Sequence, residues 1–328
     1  MRVAGSYCSW DNDLGKVRQG WNITPKLPSK LSPRSRTISR PQRRQRLAAR
    51  SRTVEIDSEV SGLQELSATT GRRLVFLGTG TSTGVPVFGC DCSVCSSADP
   101  RNRRLRPSVL MKFPLGNLLI DTTPEMRLQL LREQIRHVHA IAYTHNHADH
   151  LFGLDDARLF PKYVGGPVPI YCEPETEASI RSIFHYAFHE AGLSLPAGHL
   201  PKMRFESISP GIPFELLGQR ILPIRLEHGR FNVLGFRVGD LAYCTDVCRI
   251  PASSWPLLEG LDTLILDALR YEPHPTHFNL EQALDVVERL KPRRAFFTHL
   301  SHSFDHGPTE STLPPQVALA YDGLALEF

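Results

Sequence analysis

The chain has 328 residues, 41% of them hydrophobic, enough for the core of one large domain or two small ones. No apolar run reaches the roughly 18 residues of a membrane-spanning helix, so no membrane partner is expected. The net charge of +4 is unevenly held: residues 1–53 carry ten arginines and three lysines against two aspartates, a local +11, which leaves −7 for the remainder. An acidic body argues against a general nucleic-acid-binding surface.

The first 53 residues are rich in Arg, Ser and Pro and poor in acids, and they lack the apolar stretch of about 7–15 residues that marks a secretory signal. That composition predicts a disordered basic leader acting as a transit peptide. Its Ser and Pro favour the chloroplast, with the mitochondrion as the alternative. A nucleic-acid-binding tail and a nuclear-import patch are the rival readings. Residues 54–72 are expected to form a linker or short helix, and 73–328 the folded domain.

RLVFLGTG (73–80) reads as a buried strand, followed by a Gly/Thr/Ser-rich loop and a cysteine cluster. SVLMKF (108–113) and NLLID (117–121) predict a hairpin around Pro114–Gly116. PEMRLQLLREQ (124–134) predicts a helix with Pro124 in its first turn. VHAIAYTH (138–145), PVPIYCE (167–173), RILPIRLEH (220–228), NVLGFRVGDLAYCTD (232–246), TLILDA (263–268) and RAFFTH (294–299) read as strands. Residues 177–192 and 280–290 read as helices. Asn279 is the expected N-cap of the second, with Gln282 three residues on and apolar residues at 280, 284, 287 and 290 on one face. No residue repeat stands out, although β-rich halves on either side of about residue 200 fit the pattern.

THNHADH (144–150) places His145, His147, Asp149 and His150 directly after a predicted buried strand. Imidazole and carboxylate suit zinc, manganese or iron. In an extended segment His145 and His147 can point at one metal, while Asp149 and His150, past the turn, reach a second. The bland alternative is a solvated histidine loop. The mixture of acid and imidazole at ligand-like spacing speaks against it.

Further candidates end predicted strands: Asp121 in LLID, His228 in LEHG, Asp246 in YCTD and His299 in FFTH. Taken singly, each would be an ordinary surface, core or turn residue. As an ordered set with H-x-H-x-D-H they resemble the metallo-β-lactamase superfamily over roughly residues 74–328. The resemblance implies a single α/β domain, an αββα sandwich. It implies that His145, His147 and His228 hold one metal and that Asp149, His150 and His299 hold another. Asp246 would bridge the two, and Asp121 would orient the histidine loop from behind. Two divalent cations, zinc or manganese, would lower the pKa of a bridging water and stabilise the oxygens of a displacement.

Cys90, Cys92 and Cys95 are spaced C-x-C-x2-C and need a fourth ligand to close a tetrahedral zinc site. His302, in THLSH, can supply it by turning away from the centre that His299 would serve. A redox loop or plain reduced thiols are the alternatives. GTGTSTGVPVFGCDCSVC together with THLSH resembles the phosphoribosyl cyclic phosphate phosphodiesterases and the ribonuclease Z-like branch. This implies one structural zinc on Cys90, Cys92, Cys95 and His302, beside the two-metal site. It also implies a catalytic role for His277, which precedes the helix at 280–290; histidine is the residue type most often used to protonate a leaving oxygen. His274 is its neighbouring competitor.

Other features read more plainly. Cys244 and Cys248 are expected to be structural thiols. His185 and His189 are read as helix packing or a pocket wall. RNRRLR (101–106) is read as a solvated basic loop rather than a substrate-steering patch. Gly78, Gly80 and Gly84 do not form a dinucleotide fingerprint, because the cysteines leave no room for the helix which that motif opens.

The functional expectation is a metal-dependent phosphoric diester hydrolase. A metal-held hydroxide would attack a small, cyclic phosphate ester, with Asp149 and His277 as catalytic residues. The alternatives are a tRNA 3′-end endonuclease, for which no Gly/Pro-rich arm is found, a thioester or lactone hydrolase, and a non-catalytic scaffold, disfavoured by the complete ligand set. A homodimer is compatible with the resemblance, and nucleic acid is not expected as a partner.

Overall fold

A computed structural model of the protein describes residues 71–188 and 198–328. The basic leader (1–53) and all but the last two residues of the linker (54–72) lie outside the described residues.

The chain lays down β1 (Arg73–Gly78), β2 (Ser108–Phe113), β3 (Gly116–Ile120), α1 (Met126–Arg132), β4 (Ala140–Ala142), α2 (Ala148–Leu151), α3 (Phe160–Val164) and β5 (Val168–Cys172). Then come α4 (Pro174–Ile183), α5 (His185–Phe188) and β6 (Met203–Ser207), which completes the run of strands in the first sheet. The second half follows with β7 (Phe214–Leu216), β8 (Gln219–His228), β9 (Phe231–Val238), β10 (Leu241–Cys244), β11 (Thr263–Asp267), α6 (Leu280–Leu290), β12 (Arg294–Thr298), α7 (His306–Glu310) and β13 (Val317–Leu319). β14 (Ala325–Glu327) returns to pair antiparallel with β1.

The two seven-stranded sheets have the orders β14-β1-β2-β3-β4-β5-β6 and β13-β12-β11-β10-β9-β8-β7. Each begins with antiparallel pairs and continues with parallel ones: β1, β2 and β3 alternate before β3 to β6 run parallel, and β7 to β10 alternate before β10 to β13 run parallel. The two sheets therefore share a strand pattern that no residue repeat discloses, with β6 at 203–207 and the returning β14 belonging to the first, so the division does not fall at residue 200.

The facing surfaces of the two sheets enclose a core that includes Phe76, Met111, Ile120, Phe236, Tyr243 and Ile265. On the outer face of the first sheet, α1 and α4 cover Leu77, Leu119 and Ile141. On the outer face of the second, α6 covers Leu264, Leu266 and Phe297. These layers are the expected αββα sandwich. The capping box of α6 is present: the Asn279 side chain accepts from Gln282 N–H, and the Gln282 side chain accepts from Asn279 N–H.

Four expectations need correction. The long helix at 177–192 is two helices, because Phe184 takes a non-helical conformation (φ −104°, ψ 39°) and buries its ring in the core; His189 lies outside the described residues. The strand at 232–246 is the hairpin β9–β10, turned at Gly239–Asp240, where Gly239 has φ +59°. The strand at 138–145 shrinks to β4, which frees residues 144–150 to form the histidine loop.

The fourth correction concerns residues 101–106, which are not a solvated loop. Arg104 is 1% exposed and donates to the carbonyls of Ser301 and Phe304 and to the Asn102 side chain. Arg106 pairs with Glu125. The glycines beside this strip admit it closely: a Cβ at Gly78 would lie 2.0 Å from the Arg106 carbonyl oxygen, and one at Gly80 2.7 Å from that of Arg104.

Candidate active site

The C-terminal ends of strands from both sheets converge on one centre. Asp121 follows β3, the histidine loop follows β4, His228 closes β8, Asp246 follows β10, Asp267 closes β11 and His299 follows β12. Asp121, Asp246 and His299 have φ of +65°, +54° and +60°. Non-glycine residues seldom adopt this left-handed region, and where they do they concentrate at functional sites.

The ligand-type atoms of His145, His147 and His228 lie within 4.8 Å of one another, as do those of Asp149, His150, Asp246 and His299. Asp246 also lies within that distance of His228 and His277. It therefore stands between the two groups.

Hydrogen bonds behind the centre set the direction of the rings. His150 donates through Nδ1 to Asp121 (2.8 Å), whose carboxylate also accepts from the Thr144 N–H (2.9 Å) and hydroxyl (2.8 Å). The Thr144 hydroxyl oxygen in turn faces His145 Nδ1 at 2.9 Å. His228 donates through Nδ1 to the Thr276 carbonyl at 2.7 Å. Each of these imidazoles thus has its Nε2 left for the centre, the arrangement that outer partners of metal-ligating histidines produce.

Nε2 of His145 is buried without a hydrogen-bond partner, and Nε2 of His150 and of His299 face only the carboxylates of Asp149 and Asp246, at 3.2–3.3 Å. An unpaired buried nitrogen is costly unless something fills the space beside it. The convergence of these imidazole nitrogens with two buried carboxylates suits divalent metal ions.

The electrostatics divide the two groups: neighbouring carboxylates push His150, like His299, above the usual imidazole range against the effect of burial. Burial alone would hinder ionisation of Asp246, yet the His299 and His150 imidazoles hold its carboxyl well below the usual range. Burial pushes His145, His147 and His228 down, so these rings stay neutral and able to ligate. Burial opposes charge on His299 too, but Asp246 carries it up to about 9.

His277 sits at the edge of this centre. Its ring stacks on His299 at 4.6 Å and meets His228 edge-on at 4.5 Å. Its Nδ1 donates to Asp267 Oδ2 at 2.7 Å, and the same oxygen accepts from Val247 N–H at 2.9 Å. Sequence reasoning missed Asp267. It is fully buried, and it ends its strand in LILD as Asp121 does in LLID, so the signal was available. His274 lies one place further out, 5.2 Å from His277 ring to ring, with its Nδ1 turned toward Thr276.

A cavity of about 430 Å³ opens beside His277 and His299, with Thr81, Ser82, Thr83 and Arg270 on its walls. His302 lines the same cavity and belongs to the cysteine cluster. Its Nδ1 is 3.4 Å from Cys90 Sγ and 3.5 Å from Cys92 and Cys95 Sγ. A tetrahedral zinc with its usual bond lengths to sulfur and nitrogen would set these edges at about 3.6 Å, so the four residues fit that ion. A backbone N–H from Cys95 helps bring the Cys92 thiol down to about 6.

Cys244 is fully buried with its thiol pushed up to about 12, which matches a structural thiol, and Cys248 Sγ accepts from Gly229 N–H.

Two sheets faced by helices, with clustered histidines and aspartates at their strand ends, define a class. The sequence matches the beta-lactamase superfamily domain over residues 116–300, and the chain belongs to that superfamily, in its metallo-β-lactamase fold. Within it the chain resembles the solved structure of a new diphosphatase from the PhnP family, with 44% identity and a TM-score of 0.73 over 79% of this chain and 98% of that one. An octanoyltransferase of Porphyromonas gingivalis is 36% identical over 258 residues, which are 77% of this chain and 51% of that protein. A ribonuclease Z of Picosynechococcus is 28% identical over 151 residues, 44% of this chain and 45% of that protein. The chain thus spans about half the length of these two relatives.

Proposed function

We propose that the protein is a two-metal phosphodiesterase acting on a small phosphate ester. The observation that carries the reading is the position of Asp246 between two ligand groups, with His277, braced by Asp267, at the mouth of the adjoining cavity. His145, His147 and His228 would hold one ion, Asp149, His150 and His299 the other, and Asp246 both, with zinc or manganese as the metal. When bound, the ions activate water and offset negative charge on the phosphoryl oxygens. A further zinc on Cys90, Cys92, Cys95 and His302 would fix the cavity wall.

The chain's own residues account for the protons. Asp149 accepts one from the attacking water. As the bond from phosphorus to the leaving oxygen breaks, His277 gives that oxygen a proton from Nε2. The donor is the doubly protonated ring: Asp267 accepts from Nδ1–H throughout and stabilises the imidazolium, and loss of the Nε2 proton leaves the neutral Nδ1–H tautomer. The products are a phosphomonoester and an alcohol, or a single ring-opened monoester when the diester is cyclic. The similarity to a PhnP-family diphosphatase and to a ribonuclease Z supports phosphoric ester chemistry. The modest cavity favours a small substrate over a polynucleotide.

A thioester hydrolase is the second reading, favoured by the similarity to a protein named an octanoyltransferase. Hydrolysis of bis(p-nitrophenyl) phosphate by the full chain, stripped and reloaded with zinc or manganese, separates the two. The expected result is metal-dependent turnover that the Asp149→Ala/His150→Ala double variant loses. A fully metallated protein that cleaves an acyl thioester but no phosphodiester would replace the first reading by the second.

A further inference from the structure

A second cavity, of about 680 Å³, lies on the outer face of the first sheet, away from the proposed metal centre. Its floor and sides are apolar. Leu130 is buried there, while Leu131, Leu159 and Tyr163 keep 60%, 44% and 54% of their surface exposed. A cluster of half-exposed large apolar side chains around one concavity marks a binding surface rather than scattered surface residues.

The rim is cationic. Arg127, Arg136 and Arg158 line it against one carboxylate, Asp156. Arg158 is held by Asp155, whereas Arg127 and Arg136 have no carboxylate partner among the described residues.

Each half of this description limits the ligand. A compact inorganic anion would leave the apolar floor wet. A purely apolar ligand would leave the two guanidinium groups unused. An aliphatic chain ending in a carboxylate satisfies both parts, with burial on the floor and a charge-assisted bond at the rim. We propose that this cavity binds a medium-chain fatty carboxylate.

Its walls are α1, which leaves the Asp121 segment, and the turn and helix at 154–164, which leave the His150 segment. Those segments are tied to each other by Thr122 N–H to the His150 carbonyl (2.7 Å) and Gly153 N–H to the Thr122 carbonyl (2.9 Å). A bound carboxylate would therefore lie within a few residues of the strand ends that carry the metal centre.

The test is calorimetric titration of the full chain with decanoate and with decanol, for the wild type, Arg127→Gln/Arg136→Gln and Leu131→Asp. Both arginines are exposed, so their loss should leave the fold intact. The expected result is that decanoate binds about tenfold more tightly than decanol and that the double variant removes that difference, since a charge-assisted bond is lost. Equal affinity for the acid and the alcohol overturns the proposal, and so does a preference that survives in the double variant. Absence of binding together with a dimer that Leu131→Asp converts to a monomer also overturns it, and assigns the cavity to a second copy.

Discussion

An imidazole that donates one N–H to a buried carboxylate has a single nitrogen left for substrate, and its protonated form is stabilised when a proton arrives there. His277 on Asp267 is such a pair. Replacing His277 by Ala should lower turnover by about 10²–10⁴-fold, the usual worth of a positioned acid or base. The loss should be larger for a diester with an alkyl leaving group than for one releasing p-nitrophenol, which needs little protonation. Asp267→Asn should show the same leaving-group dependence with a smaller loss. An equal loss on both substrates would mean that His277 only shapes the cavity.

A second buried acid gives a stability prediction at the same scale. Asp322 accepts from Thr79 N–H and hydroxyl and from Leu105 N–H, and it meets Arg132 at 3.1 Å. Burial outweighs these bonds and lifts its carboxyl to about 6. Between the ordinary carboxylate range and pH 6 the folded protein therefore keeps a proton that the unfolded chain has lost. The contribution of this group to stability is present in full at the acid end and declines as pH rises to 6. Urea unfolding at pH 4.5 and pH 7 should show the wild type losing stability relative to Asp322→Asn as pH rises, by at most about 3 kcal/mol. A difference between the two proteins that does not vary with pH would contradict the raised value.

At the scale of elements, the loop after β12 is held twice, by His302 at the cysteine cluster and by the Arg104 guanidinium on the Ser301 and Phe304 carbonyls. Arg104→Met would leave those buried carbonyls unpaired, at a cost of about 1–3 kcal/mol each. The expected outcome is a lower melting temperature and, for protein loaded with zinc, faster loss of that metal to a chelator such as 4-(2-pyridylazo)resorcinol. Unchanged zinc release would separate Arg104 from the cysteine site.

This element also shows what the sequence discloses and what it withholds. The strands that position the centre were legible because apolar runs ending in His or Asp are conspicuous, and the α6 capping box was legible from Asn279 and Gln282. Arg104 was not: an arginine in RNRRLR looks like its exposed neighbours, and only the long-range carbonyls make it a core residue. The edge strands β6, β7, β13 and β14 escaped for a related reason. At three to five residues, partly exposed, they have too little alternation to read, and they exist through pairing with distant strands. Asp267 was overlooked although its strand-end position matches that of Asp121.

For the whole molecule, the centre is shared between the halves. The first half brings Asp121 and residues 145–150, and the second brings His228, Asp246, Asp267, His277 and His299. Neither sheet holds a full set of candidate ligands, so metal affinity should report on the docking of the two sheets more sharply than on the integrity of either.

The return of β14 to β1 has a consequence for the order of events on the ribosome. Arg72 Nε donates to the Phe328 carbonyl across 256 residues, and Arg73 stands opposite Glu327. The first strand of the domain to emerge is thus completed by the last. Throughout synthesis the β1 edge offers unpaired backbone groups beside the apolar side chains of LVFL, an open template for pairing with another nascent chain. The closing pair acts as a clasp that the protein can fasten only once translation has passed residue 327.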